Sequence, residues 1–240
     1  MGVFLLTPSF CSIGIFARES EILSRVWSVL AASASLAPVA SPRRAKRLLL
    51  SRELFALVDP GVLPELLAAA EDFAAATGLS MSTAPLGAVG DPMEPLSTFR
   101  LIQLYEAWQL HGRWVSAHHD TLGWGIAARF DAASAVDAES VADARKPQEA
   151  FQVEFAQLLG NDTYLLQPAA SGPAPLIDLN SKENDDLRLR TMQLTAPAGL
   201  CGSPVVSMPL AIVKGLPVGL GLVGLRGDDE EVVRLAGTLG

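Results

Sequence analysis

The chain has 240 residues and a mass of 25.3 kDa, longer than the ~100–200 residues usual for one domain, so one large or two small domains fit. Half of it is hydrophobic, charged residues make up 18% and mean hydropathy is +0.31, an apolar balance that excludes intrinsic disorder. A net charge of −8 and a pI near 4.9 repel phosphates at long range and argue against nucleic acid as a partner.

The longest apolar stretches, residues 2–16 and 31–40, are broken by Pro8, Pro38 or serines before the ~18–20 residues that a membrane span needs, so no span is expected. No Lys or Arg stands in the first ten residues, so the positive start of a secretory leader is not seen. Cys11 and Cys201 are the two cysteines. They are far apart, without Cys-x-x-Cys or zinc-ligand spacing, which fits a reducing, cytoplasmic setting.

In chain order, residues 2–6 form a short apolar run closed by Thr7-Pro8, which predicts a buried strand and a turn. From Ser20, a plausible N-cap, Ile22, Leu23, Val26, Trp27, Val29 and Leu30 recur at helical spacing. Residues 33–42 are a Ser/Pro-rich loop. The basic cluster Arg43, Arg44, Lys46 and Arg47 that follows reads as a solvated linker rather than an anion site. Residues 48–50 and 54–58 are strand or short helix, and Asp59-Pro60-Gly61 is a turn. Residues 63–77 form an amphipathic helix with Pro64 in its first turn and Gly78 as its stop.

Residues 80–97, rich in proline, are expected to be an irregular loop. A long helix is predicted from Thr98 to about His119 and another over 137–159, the second kinked or divided at Pro147. Residues 164–167 make a short strand, 171–175 a loop, and 181–194 a polar helix. Residues 204–209 and 216–225 are strand-like and joined by Lys214-Gly215, and a helix starts at Asp228 with acids in its first turn. Strands scattered among helices predict an α/β fold, a mixed β-sheet covered by helices.

Gly219-Leu-Gly221-Leu-Val-Gly224 spells G-x-G-x-x-G, the dinucleotide fingerprint. Its glycines alternate through an apolar run instead of occupying a strand-to-helix turn, and Leu239 stands where the ribose-binding acid would be. The expected reading is a crowded strand, with no dinucleotide cofactor. His111, His118 and His119 lie on or near one helix. His111 and His118 are ~10 Å apart along it, too far to share a metal, so they are read as surface or helix-end residues. Trp108, Trp114 and Trp124 are read as core. No Gly-x-Ser-x-Gly elbow exists. Ser203, in Cys-Gly-Ser-Pro, is a turn serine, and Cys11, with no histidine or cation beside it in sequence, is read as buried and inert. Asp228, Asp229, Glu230 and Glu231 are explained by compensation of a helix dipole.

Several segments, taken in order, carry a resemblance. Pro8-Ser-Phe-Cys-Ser-Ile-Gly-Ile-Phe-Ala-Arg18 is similar to the segment Pro-Ser-Phe-Asp-Thr-Val-Gly-Trp-Phe-Ala-Arg of the amidase signature family. Leu194-Thr-Ala-Pro-Ala-Gly-Leu-Cys-Gly-Ser-Pro-Val-Val-Ser-Met-Pro209 and Gly215-Leu-Pro-Val-Gly-Leu-Gly-Leu-Val-Gly224 resemble its C-terminal strand pair. Tyr105-Glu-Ala-Trp-x-x-His-Gly-x-Trp114, with His118, Gly123 and Arg129-Phe130, then Leu165-Leu-Gln-Pro168 and Gly172-Pro-Ala-Pro175, look like a bacterial and plant branch that includes indole-acetamide-type amidases.

The resemblance implies a partial amidase-like domain over residues 1–240, similar to the C-terminal part of the amidase fold. Family members hydrolyse amides with a serine nucleophile, a bridging serine and a lysine, using no cofactor or metal. All three belong to segments that precede Pro-Ser-Phe, and no residue of this chain matches them. No catalytic residue is therefore assigned, and Cys11, where the family has Asp near the active site, is the one weak pocket candidate. The expected function is that of an amidase homologue inactive alone, which takes a small-molecule amide substrate only when completed. The alternative is a non-catalytic amidase-like binding or structural module. The apolar excess then has an owner: runs such as 3–6, 205–208 and 218–223 are composed to be covered by the missing portion. Self-association or a partner chain on exposed apolar surface is expected.

Overall fold

The computed structural model describes residues 4–33, 43–86, 90–177 and 181–239. Helix α1 (Ser20–Ser33) is followed by strand β1 (Arg47–Ser51), the short α2 (Arg52–Phe55) and α3 (Leu63–Thr77). Pro64 stands in the first turn of α3, and Gly78 ends it with φ 68, a left-handed conformation that costs glycine little. Strand β2 (Ser80–Ala84) leads to α4 (Met93–His118), a single 3-10 turn, α5 (Trp124–Ser134) and α6 (Ala138–Leu159). Then come β3 (Thr163–Pro168), α7 (Ser181–Cys201), β4 (Val205–Val213), β5 (Leu216–Val223) and α8 (Asp229–Ala236).

The five strands make one sheet in the order β2-β1-β3-β5-β4. β1 is parallel to both β2 and β3, whereas β5 is antiparallel to β3 and β4. Alternation along the strands divides the core. Leu48, Leu50, Tyr164, Leu166, Leu220 and Leu222 pack with Leu66 and Phe73 of α3 and Val232 and Leu235 of α8. Leu49, Leu165 and Val223 face the other way, onto Ile102 of α4, Phe155 of α6 and Leu194 of α7. The result is a mixed α/β sheet covered by helices on both faces, as the sequence predicts. β4 and β5 are joined by Lys214 and Gly215 with φ 51 and 80, the two positive values a tight hairpin requires.

Some expectations change. Phe4, Leu5 and Leu6 are exposed and pair with no strand among the described residues. Instead the Leu5 carbonyl meets His111 Nε2 at 2.8 Å, so the run lies against a helix. Of the proline-rich stretch 80–97, residues 80–84 form β2 and residues from 93 onward belong to α4. Its prolines sit where they do no harm: Pro85 follows the strand, while Pro92 and Pro95 stand at the helix start, where no intrahelical N–H is needed. Pro147 does not divide α6. Val141 and Ala144 before it and Phe151 and Phe155 after it share one core cluster, and that packing outweighs the lost hydrogen bond. Of the Ser/Pro-rich loop 33–42, residues 34–42 lie outside the described residues.

The basic cluster is a solvated linker only in part: Arg44, Lys46 and Arg47 are exposed, but Arg43 is not. Arg43, only 16% exposed, pairs with Asp228. It also donates to the carbonyls of Leu159 (3.2 Å) and Thr163 (2.9 Å) and lies over the Tyr164 ring. Arg44 reaches Glu231 at 2.7 Å and Arg47 reaches Asp162 at 2.6 Å. Asp228 and Glu231 thus do more than offset a helix dipole: both are buried, and a buried carboxylate needs partners. Burial pushes the Glu231 carboxyl up, but bonds from Arg234, the Ala45 N–H and Arg44 outweigh it and bring it down to about 2.

Two stability predictions follow from this packing. A lowered carboxylate stabilises the fold fully above its unfolded value of ~4.3, and that contribution is lost as pH falls toward 2. Glu231→Gln should cost about 1–3 kcal/mol at neutral pH, with the deficit shrinking below pH ~4, as read by urea unfolding across pH. At Gly224, an added Cβ would stand 2.6 Å from Asp228 Cβ and 3.1 Å from Tyr164 Cε1. Gly224→Ala should lower the unfolding free energy by about 1–3 kcal/mol through overpacking, measured the same way.

Candidate functional site

Residues 7–11 form a tight turn. The N–H groups of Phe10 and Cys11 donate to the Thr7 carbonyl at 3.1 and 2.9 Å, and the Thr7 N–H donates to Cys11 Sγ at 3.3 Å. The turn is held from outside by Glu106 of α4, which accepts from the Ser9 N–H at 2.9 Å and from the Ser9 hydroxyl. Arg145 of α6 donates to the same carboxylate at 2.9 Å, to Ser9 Oγ at 3.2 Å and to Gln148 Oε1 at 2.9 Å. On the apolar side, the Phe10 ring packs 4.2 Å from that of Phe99. A segment with no regular secondary structure is thereby placed by two helices.

Between this turn and the end of α7 lies a mostly polar cleft of about 380 Å³. Pro8, Ser9 and Phe10 form one wall; Arg145, Gln148, Glu149 and Gln152 of α6 form another; residues 199–202 and Arg226 complete it. Gln148 and Gln152 both donate to the Leu200 carbonyl, at 3.2 and 2.8 Å, satisfying one of the carbonyls left open at a helix C-terminus. The four α6 residues are spaced i, i+3, i+4 and i+7, one face of a helix. That polar stripe is the sequence signal that could have found the cleft. Nothing in the sequence pairs Glu106 with Ser9 or Arg145, since the three meet only through the fold.

A second, apolar cleft of about 370 Å³ is lined by Phe4, Leu6, His111, Trp114, Val115 and Phe130. Phe4 stacks on His111 with ring centroids 4.6 Å apart. Trp114 is exposed and stacked on His118, and Trp124 is 88% exposed. The core reading of those two tryptophans is therefore overturned: both sit on the outer faces of their helices. Each histidine is used locally, His118 with the Trp114 carbonyl and His119 with Asp131. Among the described residues no group of His, Cys, Asp or Glu is placed to hold a metal ion.

Cys11 is exposed, not buried, because the turn projects it away from the Phe10–Phe99 contact. Hydrogen bonds from the turn, that of the Thr7 backbone first, lower its thiol pKa. Cys201 is the opposite case: burial pushes its thiol up to about 12. Ser203 donates its N–H to the Ala198 carbonyl at 3.0 Å, closing the end of α7, while its buried hydroxyl has no partner among the described residues. The glycines 219 and 221 lie within β5, where Cβ atoms would meet Ser207 Oγ at 3.1 Å and Val205 Cγ1 at 3.4 Å, so they are packing residues of a strand. The two thiols should separate in rate. With a water-soluble disulfide reagent near pH 8 we expect Cys11 to react at least ~10 times faster than Cys201, scored by mass spectrometry of peptides.

The amidase family model matches residues 74–233. Amidase 1 of Arabidopsis thaliana is 26% identical over 266 aligned residues, covering 100% of this chain and 62% of that protein. Amidase 1 of Oryza sativa subsp. japonica is 33% identical over 121 residues, 50% of this chain and 28% of its own length. A crystal structure of an amidase superposes with a TM-score of 0.82 at 22% identity, over 99% of this chain and 54% of the other. The chain thus spans less than two thirds of the length of these relatives. With the family model covering most of its residues and the same sheet and helices beneath it, the chain belongs to the amidase signature family.

Proposed function

We propose that this chain is the substrate-side portion of an amide hydrolase, and that hydrolysis needs the family's nucleophile-bearing segments in addition to residues 1–240. The observation that carries the reading is the family match over residues 74–233; the resemblance to the family assigns the serine, bridging serine and lysine to segments that precede Pro8-Ser-Phe10. In the complete enzyme the serine attacks the amide carbonyl, the amine or ammonia leaves, and water releases the acyl group. Residues 8–10, α6 and the end of α7 line the polar cleft, which is our candidate for the substrate wall; Cys11 follows Phe10 but is not one of the lining residues. The exposed apolar side chains of the N-terminal region, Phe4, Ile13 and Phe16, the last 99% exposed, agree with a surface that the catalytic portion covers, since burying a large side chain contributes about 1.5–3 kcal/mol.

The test is ammonia release from a panel of small primary amides. The chain alone should show none above background. Mixed with or fused to the nucleophile-bearing portion of Arabidopsis Amidase 1, it should turn substrate over at least ~10³-fold faster. Turnover by the chain alone, lost in Cys11→Ser, would overturn the assignment and make Cys11 the nucleophile.

A further inference from the structure

The polar cleft contains groups that the fold has used and groups that it has not. Arg145 is committed to Glu106, Ser9 and Gln148, and the amide nitrogens of Gln148 and Gln152 are committed to the Leu200 carbonyl. Two charged groups on the lining are uncommitted. Arg226 and Glu149 make no hydrogen bond or ion pair among the described residues.

Arg226 and Glu149 are both exposed, and Arg226 lies beside a bare stretch of backbone. Its Nη2, Nε and Cζ atoms lie 3.3, 3.4 and 3.6 Å from where a Cβ on Gly202 would be, and Gly202 has φ +62. The bare, left-handed glycine just past the end of α7 lets the guanidinium lie flat against the backbone. From there it bonds no carbonyl, so its fork of donors stays open to the cleft. A planar fork of this kind matches a carboxylate. Glu149 and the carbonyl oxygen of Gln152, on the α6 wall of the same cleft, can only accept, so they match N–H donors. The cleft volume of about 380 Å³ is at the small end of the ~300–1,000 Å³ typical of small-molecule sites.

We propose that the polar cleft binds a small amide that also bears a carboxylate, with the carboxylate on Arg226 and amide N–H groups on Glu149 and Gln152. The amide half of this ligand rests on the amidase reading; the carboxylate half rests on Arg226 and Gly202 alone. Arg226 therefore acts as a specificity residue that separates acidic amides from neutral ones.

The experiment measures binding to the intact chain, without turnover, by titration calorimetry or NMR at low ionic strength. Succinamate is compared with butyramide, a neutral amide of the same length, and with acetate. Succinamate should bind roughly tenfold or more tightly than either, the scale of losing one hydrogen bond to a charged group. Arg226→Gln should abolish the preference over butyramide, and Gly202→Ala should weaken it by displacing the guanidinium. Unchanged urea midpoints would establish that both variants are folded. Equal binding of the two amides, undiminished preference in Arg226→Gln, or no succinamate binding would overturn the carboxylate site. Acetate binding as tightly as succinamate would overturn the amide contact. Failure of the amidase reading shows separately, as absent ammonia release in the complemented assay.

Discussion

The guanidinium of Arg43 joins four parts of the chain at one point. It pairs with Asp228 before α8, donates to the carbonyls of Leu159 and Thr163 on either side of the turn into β3, and covers the Tyr164 ring. A cation this buried is tolerable because both terminal nitrogens are bonded, with Nε left unpartnered among the described residues, and removing a partner would leave an uncompensated charge worth several kcal/mol. The start of β1, the end of α6, the start of β3 and the turn after β5 are thereby held at one end of the sheet. Glu231, bonded by Arg44, Arg234 and the Ala45 N–H, repeats the device one helical turn further on.

With that end pinned, β3 is buried along its whole length and can pair parallel to β1 on one side and antiparallel to β5 on the other. The second core cluster then fixes α4, α6 and α7 on one face of the sheet. Those helices in turn place the turn at residues 7–11 through Glu106 and Arg145, and they form the polar cleft between that turn and residues 199–202. The cleft is a product of helix packing and not of any contiguous motif. Its polar walls contrast with the neighbouring apolar cleft of Phe4, Trp114 and Phe130, so the N-terminal segment runs past two surfaces of opposite character. Phe4, Ile13 and Phe16 are exposed, but the high mean hydropathy is spread over a chain that is half hydrophobic, and among its described residues no helix is long and apolar enough to cross a membrane.

Local signals served well where the physics is local. The α3 helix, with Pro64 at its start and Gly78 at its stop, and the Lys214-Gly215 hairpin are written in residues whose φ preferences act within one turn. Alternation through Gly219 and Gly221 was enough to separate a strand from a dinucleotide loop. Long-range partners were not legible. Arg43 and Asp228 are 185 residues apart and Ser9 and Glu106 are 97 apart, so the basic cluster looked like a linker and the Glu106 clamp left no trace. Cys11 and the tryptophans 114 and 124 were misread for a related reason: residue type states a preference for burial, but the turn and helix faces that carry these side chains point outward.

The sequence by itself determined the α/β class, the positions of most helices and strands, and, through the ordered run of motifs from Pro8 to Gly224, membership of the amidase family. These follow from short-range periodicity, turn chemistry and the spacing of segments along one chain. Only the tertiary structure decided which charges are buried in pairs, which polar side chains converge on the cleft, and that Arg226 beside Gly202 has no partner among the described residues. Those outcomes depend on side chains brought together from different elements, as Gln148 and Leu200 are at a separation of 52 and Arg145 and Ser9 at 136, and no local preference encodes such a meeting.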